Sequence, residues 1–122
     1  MTRPELFQEL VQHADKLPWG VELPPDGSLV LWSGDDYYEL WPDTKDTDPD
    51  ACVFIVWGLE WLESQEDTGG KLNPMLFRRP DGQYECAFPD RIGEFVASTR
   101  LDAVLSALVA VLRAMKDREG GE

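Results

Sequence analysis

Thr99-Arg100-Leu101-Asp102-Ala103-Val104-Leu105-Ser106-Ala107-Leu108-Val109-Ala110-Val111-Leu112-Arg113-Ala114-Met115 reads as one amphipathic helix. Leu101, Val104, Leu105, Leu108, Val111, Leu112 and Met115 recur at intervals of three and four, which lines them up on one side. Thr99 stands where an N-cap belongs, and its spacing to Asp102 is that of a capping box with Asp in the Glu position. Arg113, Lys116 and Arg118 suit the negative end of the helix dipole. Residues 117–122, ending Glu119-Gly120-Gly121-Glu122, are expected as a frayed tail. A helix with a continuous apolar face needs a partner layer, and the preceding residues supply strands. One is expected near Gly93 to Ala97, after a hairpin of Leu72 to Arg79 and Gln83 to Phe88 around the turn Pro80-Asp81-Gly82.

The N-terminal half carries a related pattern. Thr2 and Glu5 form a capping box with Pro4 in the first turn, and Leu6, Phe7, Leu10, Val11, Ala14 and Leu17 continue at helical spacing to Pro18. Strands are expected at Gly20 to Leu23, Leu29 to Trp32 and Tyr37 to Trp41, separated by Pro-Pro-Asp-Gly and Ser-Gly-Asp-Asp breaks. A second helix spans Pro49 to Ser64, with Asp48 as N-cap and Pro49 at its first position. It is apolar on nearly all sides and is expected to be covered on more than one face. Thr68 to Lys71 reads as a Gly-containing linker.

At an offset of 55, Leu17, Pro25, Asp26, Gly27, Asp35, Glu39 and Thr44 align without gaps onto Leu72, Pro80, Asp81, Gly82, Asp90, Glu94 and Thr99. Shared turn chemistry accounts for part of this, and a duplicated ββ(β)α unit for the rest. The expected fold is a single α+β domain over residues 1–122, an antiparallel sheet of about five or six strands packed by three helices. The chain is 43 % apolar with five Trp and five Phe, which is enough to bury a core without a disulfide or a metal.

Net charge is confined to one half. Residues 1–67 carry sixteen carboxylates against Arg3, Lys16 and Lys45, whereas from Thr68 onward eight acids meet eight bases, so the net charge of −13 is wholly N-terminal. Such a surface repels phosphate backbones and lipid headgroups and attracts basic partners. Arg78 and Arg79 are too small a basic patch for direct nucleic-acid binding. Met-Thr-Arg-Pro-Glu is not the start of a signal peptide, and no apolar stretch approaches about 18 residues, which predicts the cytosol and no membrane contact.

No catalytic constellation emerges, and no cofactor is implied. Asp46, Asp48 and Asp50 have a D-x-D-x-D spacing, but Ala51 replaces the Gly of a calcium loop and Trp57 its bidentate Glu. Asp35 and Asp36 read as a turn. His13 is the only histidine, and no serine sits in a G-x-S-x-G elbow. Gly69-Gly70 precedes a strand, which excludes a phosphate loop. Cys52 and Cys86 read as buried reduced thiols. Trp32, Trp57 and Trp61 lie in apolar runs and are assigned to the core. Tyr37, Tyr38 and Trp41 are flanked by acids and are expected to be exposed.

Gly82-Gln83-Tyr84-Glu85-Cys86-Ala87-Phe88, followed by Thr99, Asp102, Ala103, Val104, Ala107 and Leu108, resembles the strand and helix of small phage-encoded proteins containing the phage alpha-beta-alpha sandwich domain. The loop Trp41-Pro42-Asp43 is similar in kind. The resemblance implies phage or prophage origin and an alpha-beta sandwich, supplies no catalytic residues, and does not cover the extra N-terminal helix and strands. The expectation is therefore a non-catalytic acidic protein that binds a basic partner and inhibits a nuclease or a nucleic-acid-handling defence protein by mimicking nucleic acid. Asp35, Asp36, Tyr37, Tyr38, Glu39, Trp41, Asp43, Asp46, Asp48 and Asp50 form the expected surface. The alternative is a structural or assembly accessory that forms a small homo-oligomer.

Overall fold

A computed structural model describes residues 2–67, 70–88 and 93–120. The order is α1 (Arg3–Gln12), a tight 3-10 turn at Ala14–Lys16, β1 (Gly20–Glu22), β2 (Leu29–Ser33), β3 (Asp36–Leu40), α2 (Pro49–Ser64), β4 (Glu66–Asp67), β5 (Gly70–Lys71), β6 (Met75–Arg78), β7 (Tyr84–Phe88), β8 (Gly93–Ala97) and α3 (Arg100–Gly120). The fold is α+β with three helices, and six of its strands form two three-stranded antiparallel sheets, β1-β2-β3 and β6-β7-β8. The expected sheet of five or six strands is thus divided, with β4 and β5 making a separate two-stranded ribbon. Gly70 and Lys71 of the expected linker form β5, while residues 68 and 69 lie outside the described residues. The helix α3 runs to Gly120, through most of the stretch expected to fray, and residues 121 and 122 lie outside the described residues.

The first helix stops earlier than its periodicity suggests. After Gln12 the bonding tightens: the His13 N–H donates to the Leu10 carbonyl at 3.1 Å, Lys16 N–H to His13 at 3.0 Å and Leu17 N–H to Ala14 at 3.1 Å. This turn delivers Trp19 into the core, edge-on to Phe54 with ring centroids 6.0 Å apart. Burying an indole offsets the lost helical turn.

The two helices exchange the roles that their hydrophobicity suggests. In α2 the buried residues are Ala51, Phe54, Ile55, Gly58, Trp61 and Leu62, a single stripe, and Val56 on the opposite side is 52 % exposed. In α3, Leu101, Ala103, Val104, Leu105, Ala107, Leu108, Val109, Val111 and Leu112 are all buried, covering most of its circumference. The helix α3 packs on α1, on α2 and on all three strands of the second sheet, whereas the first sheet is reached through α1 on β1 and α2 on β3. Small side chains let three layers approach α3 at once. The bulky residues of α2 fill one face and leave the rest at the rim. Arg113, expected to serve the helix dipole, instead spans to α1, where its Nη2 lies 2.7 Å from Glu9 Oε1.

The two hairpins match in register. Moved 55 positions along the chain, the β1–β2 pairs Gly20↔Trp32, Val21↔Leu31 and Glu22↔Val30 fall on the β6–β7 pairs Met75↔Ala87, Leu76↔Cys86 and Phe77↔Glu85. Their turns match as well. Gly27 and Gly82 adopt φ of 91° and 88°, and Asp26 and Asp81 each accept the N–H two residues on, from Ser28 at 2.9 Å and Gln83 at 3.0 Å. Asp90 of the sequence alignment lies outside the described residues.

Two expectations about buried side chains are corrected. Trp32 is 40 % exposed, because in β2 it alternates with the buried Leu29 and Leu31 and so faces away from the helices. Cys52 is exposed on the open side of α2, its thiol donating to the Asp46 carbonyl at 3.3 Å. Cys86 is buried in β7, and desolvation pushes its thiol up to about 11.

Gly58 lies where α2 meets α3, and a Cβ there would stand 2.7 Å from Cγ1 of the fully buried Val104. Gly58→Ala is expected to lower the unfolding free energy by about 1–2 kcal/mol in urea titration, overpacking outweighing the helix propensity gained. A thiol-disulfide reagent at pH 8 is expected to label Cys52 alone in the native chain and both cysteines in denaturant. The folded Cys86 thiol ionises above the ordinary 9.0, so its contribution to stability is complete below about pH 9 and is lost as the pH rises toward 11.

Candidate functional site

Arg3 organises the end of the molecule where the acidic loop meets α3. Its guanidinium grips Asp102 with both sides of its fork, Nε to Oδ1 at 2.7 Å and Nη2 to Oδ2 at 3.1 Å. Nη1 donates to the carbonyls of Trp41 and Pro42, each at 3.3 Å, and to that of Thr44. One side chain, 9 % exposed, thus joins α1, the 41–44 loop and the first turn of α3. Only a guanidinium offers enough fixed donors to do this. One of three bases among the sixteen carboxylates of residues 1–67, Arg3 shows its abundance of partners in the sequence, but not which partner it takes.

The acidic loop is largely turned inward. Asp46 accepts the free N–H groups of Arg100 at 2.7 Å and Leu101 at 3.0 Å, and Thr99 Oγ1 accepts that of Asp102 at 3.1 Å. Together they occupy the first three orphan donors of α3. Asp48 occupies the N-cap position of α2, but its carboxylate bends back to the Lys45 N–H at 3.1 Å, so the expected side-chain cap does not form. Asp50 accepts the Glu39 N–H of the edge strand β3 at 2.9 Å. That bond closes a donor that an edge strand would otherwise present to another chain.

The remaining residues of the expected surface fall into two groups. At the β2–β3 tip, Asp35 and Asp36 are exposed, Tyr37 is 59 % exposed, and the Tyr37 hydroxyl donates to Glu39 Oε1 at 2.9 Å, which raises that phenol above its ordinary value. Trp32 pairs across the strands with Tyr37, extending this aromatic face. Tyr38 points the other way and meets Trp57 edge-on at 5.3 Å, so it is half-buried and not part of an open face. Trp41 and Asp43 form the second group, exposed on the loop that Arg3 holds.

A cleft of about 430 Å³ opens beside the hairpin tip, lined by Pro18, Trp19, Ser33, Asp36, Trp57, Glu60, Trp61 and Ser64. Its long wall is a stripe of α2, since Trp57, Glu60, Trp61 and Ser64 follow at i, i+3, i+4 and i+7. Trp19 closes it from the opposite segment, 5.9 Å from Trp57 between ring centroids. Of that stripe the sequence assigns Trp57 and Trp61 to the core, and Trp61 is buried there while Trp57 is half-exposed at the cleft. The turn that brings Trp19 to it is not visible in the sequence.

Arg3→Ala is expected to cost about 2–4 kcal/mol of unfolding free energy, because it strands the part-buried Asp102 carboxylate and Thr44 carbonyl. Arg3→Lys should recover less than half of the loss, lacking the fork. Asp46→Ala should cost about 1–2 kcal/mol through the lost helix cap, against a change within about 0.5 kcal/mol for the outward Asp43→Ala, all read from urea midpoints.

Among the described residues no group of three or more His, Cys, Asp or Glu is arranged to hold a metal ion, and no helix is long and apolar enough to cross a membrane. No protein-family model matches the chain, and neither a curated protein nor a solved structure matches it significantly.

Proposed function

We propose that the chain is a non-catalytic acidic binding protein of phage type, acting in the bacterial cytoplasm on a basic, nucleic-acid-handling partner such as a nuclease or defence protein. It occupies the basic groove in place of nucleic acid. The observation that carries this reading is the β2–β3 tip, where Asp35 and Asp36 stand exposed beside the open rings of Tyr37 and Trp32. Carboxylates supply the charge pattern of phosphates, and aromatic rings supply the anchors by which interfaces gain most of their affinity. The charge imbalance of the N-terminal half steers a basic partner toward this side. The offset-55 match in register and turn supports an origin by duplication of one hairpin-strand-helix unit, with the first copy carrying the acids.

The experiment is retention of basic nucleic-acid-binding proteins on the immobilised chain, with duplex DNA as competitor. Retention is expected to fall steeply between about 50 and 200 mM salt and to yield to DNA. Reversing Asp35, Asp36 and Asp43 to Lys should weaken it roughly 10- to 100-fold while leaving the unfolding free energy in urea within about 0.5 kcal/mol. Retention indifferent to salt, or surviving the reversal, would sink the proposal.

A second reading, an accessory protein that self-assembles, rests on the outer face of the second sheet. Met75, Phe77 and Val96 are exposed there on adjacent strands around the buried Glu85, which Arg79 holds at 3.1 Å. It predicts a dimer or larger species in sedimentation equilibrium that Phe77→Lys dissociates. Sedimentation as a monomer at high concentration rules it out.

A further inference from the structure

We infer that the cleft bounded by Trp19, Trp57 and Trp61 is a receptor for one organic cation, a guanidinium or alkylammonium group. Three indoles line a space of about 430 Å³, within the range of small-ligand pockets and large enough for a charged head with its methylene stem. Asp36 and Glu60 share the lining with Pro18, Ser33 and Ser64, and it contains no base. Among the described residues neither carboxylate has an ion-pair partner. Indole faces attract cations through the ring quadrupole, and flanking carboxylates add direct attraction, a combination that suits a positive group with an apolar stem. An anion would meet two negative charges. A purely apolar ligand would desolvate those charges without compensation.

The walls are set in advance. Trp19 rests edge-on against the buried Phe54 at 6.0 Å, and Trp57 is fixed between Trp19 at 5.9 Å and Tyr38 at 5.3 Å. Ser64 is held too, its hydroxyl donating to the Trp61 carbonyl at 2.6 Å and accepting from Gln65 Nε2 at 2.9 Å. Aromatic walls already ordered by the core leave little conformational entropy to lose on binding. The cleft also shares Asp36 with the exposed hairpin tip, so a chain bound there can reach it directly. Resting on the function proposed above, the occupant is an arginine or lysine side chain of the basic partner. The aromatic cleft then supplies the anchor, and the tip supplies the steering charge.

The five tryptophans give the test an internal control, because Trp32 and Trp41 lie outside the cleft. The full chain is titrated with N-acetyl-arginine N-methylamide while the five indole N–H signals are followed by NMR. Saturable shifts of Trp19, Trp57 and Trp61 in the millimolar range are expected, with Trp32 and Trp41 unmoved. The neutral isostere N-acetyl-citrulline N-methylamide should bind at least about 5-fold more weakly. The double variant Asp36→Asn, Glu60→Gln, both positions being exposed, should weaken the arginine amide by about 10-fold with an unchanged urea midpoint. Tetramethylammonium separates the sources: weaker binding than the arginine amide favours a side chain, and much tighter binding identifies a free quaternary ammonium as the ligand and overturns the partner assignment. Equal binding of arginine and citrulline amides, preferential binding of maltose, or equal shifts at all five indoles overturns the cation site. Loss of the cation site with salt-sensitive retention of basic proteins intact refutes this inference alone. Arginine amide binding without any such retention refutes the proposed function and leaves the cleft chemistry standing.

Discussion

One guanidinium, that of Arg3, determines how the acidic half of the chain meets the rest. It is donated by the first turn of α1, clamps Asp102 in the first turn of α3, and takes three carbonyls of the loop between β3 and α2. Asp102 and the Thr44 carbonyl, both part-buried, would be poorly solvated without it. Paired as they are, they set the entry of α3 and the course of the 41–44 loop at once. Asp46 then reaches the free amides of Arg100 and Leu101 from the same loop. The N-terminus of α3 is thus capped from a segment about half a chain away, and loop and helix order each other.

With its start held in this way, α3 serves as the common wall of the molecule. Ala103, Ala107, Val109 and Val111 are buried beside the longer Leu101, Leu105, Leu108 and Leu112, so α1, α2 and the second sheet each find a surface at short range. Gly58 carries the same logic across to α2, where Val104 occupies the space a side chain would need. The bulkier helix is placed at the periphery as a consequence. Its outer residues, including Trp57 and the exposed Val56, remain available to form clefts.

The charge of the N-terminal half divides by function in the same way. Asp46, Asp48 and Asp50 spend their carboxylates on backbone amides, which stabilises the start of α3, the turn before α2 and an edge strand. Asp35, Asp36 and Asp43 face outward, next to Tyr37, Trp32 and Trp41. The outward acids of this stretch thus stand beside aromatic rings, while Asp46 and Asp50 are drawn partly inward.

The kinds and places of most elements were legible in the sequence, because they depend on neighbours within a few residues. The Pro-Asp-Gly turns, the Thr99 cap and the Pro49–Ser64 helix are local chemistry, and the structure keeps them at nearly the same boundaries. Which helix is central, which acids are free and which tryptophans meet across a cleft were decided only by tertiary structure. Arg3 and Asp102 are 99 positions apart, and Asp46 and Arg100 are 54 apart. Hydrophobic periodicity marks a face as apolar without recording how closely another layer can approach it, and a carboxylate's neighbours in sequence do not reveal the amide it will accept. Trp19 belongs to the cleft only because a tightened turn drops it against α2, where burial of its indole outweighs the helical propensity of the residues before it.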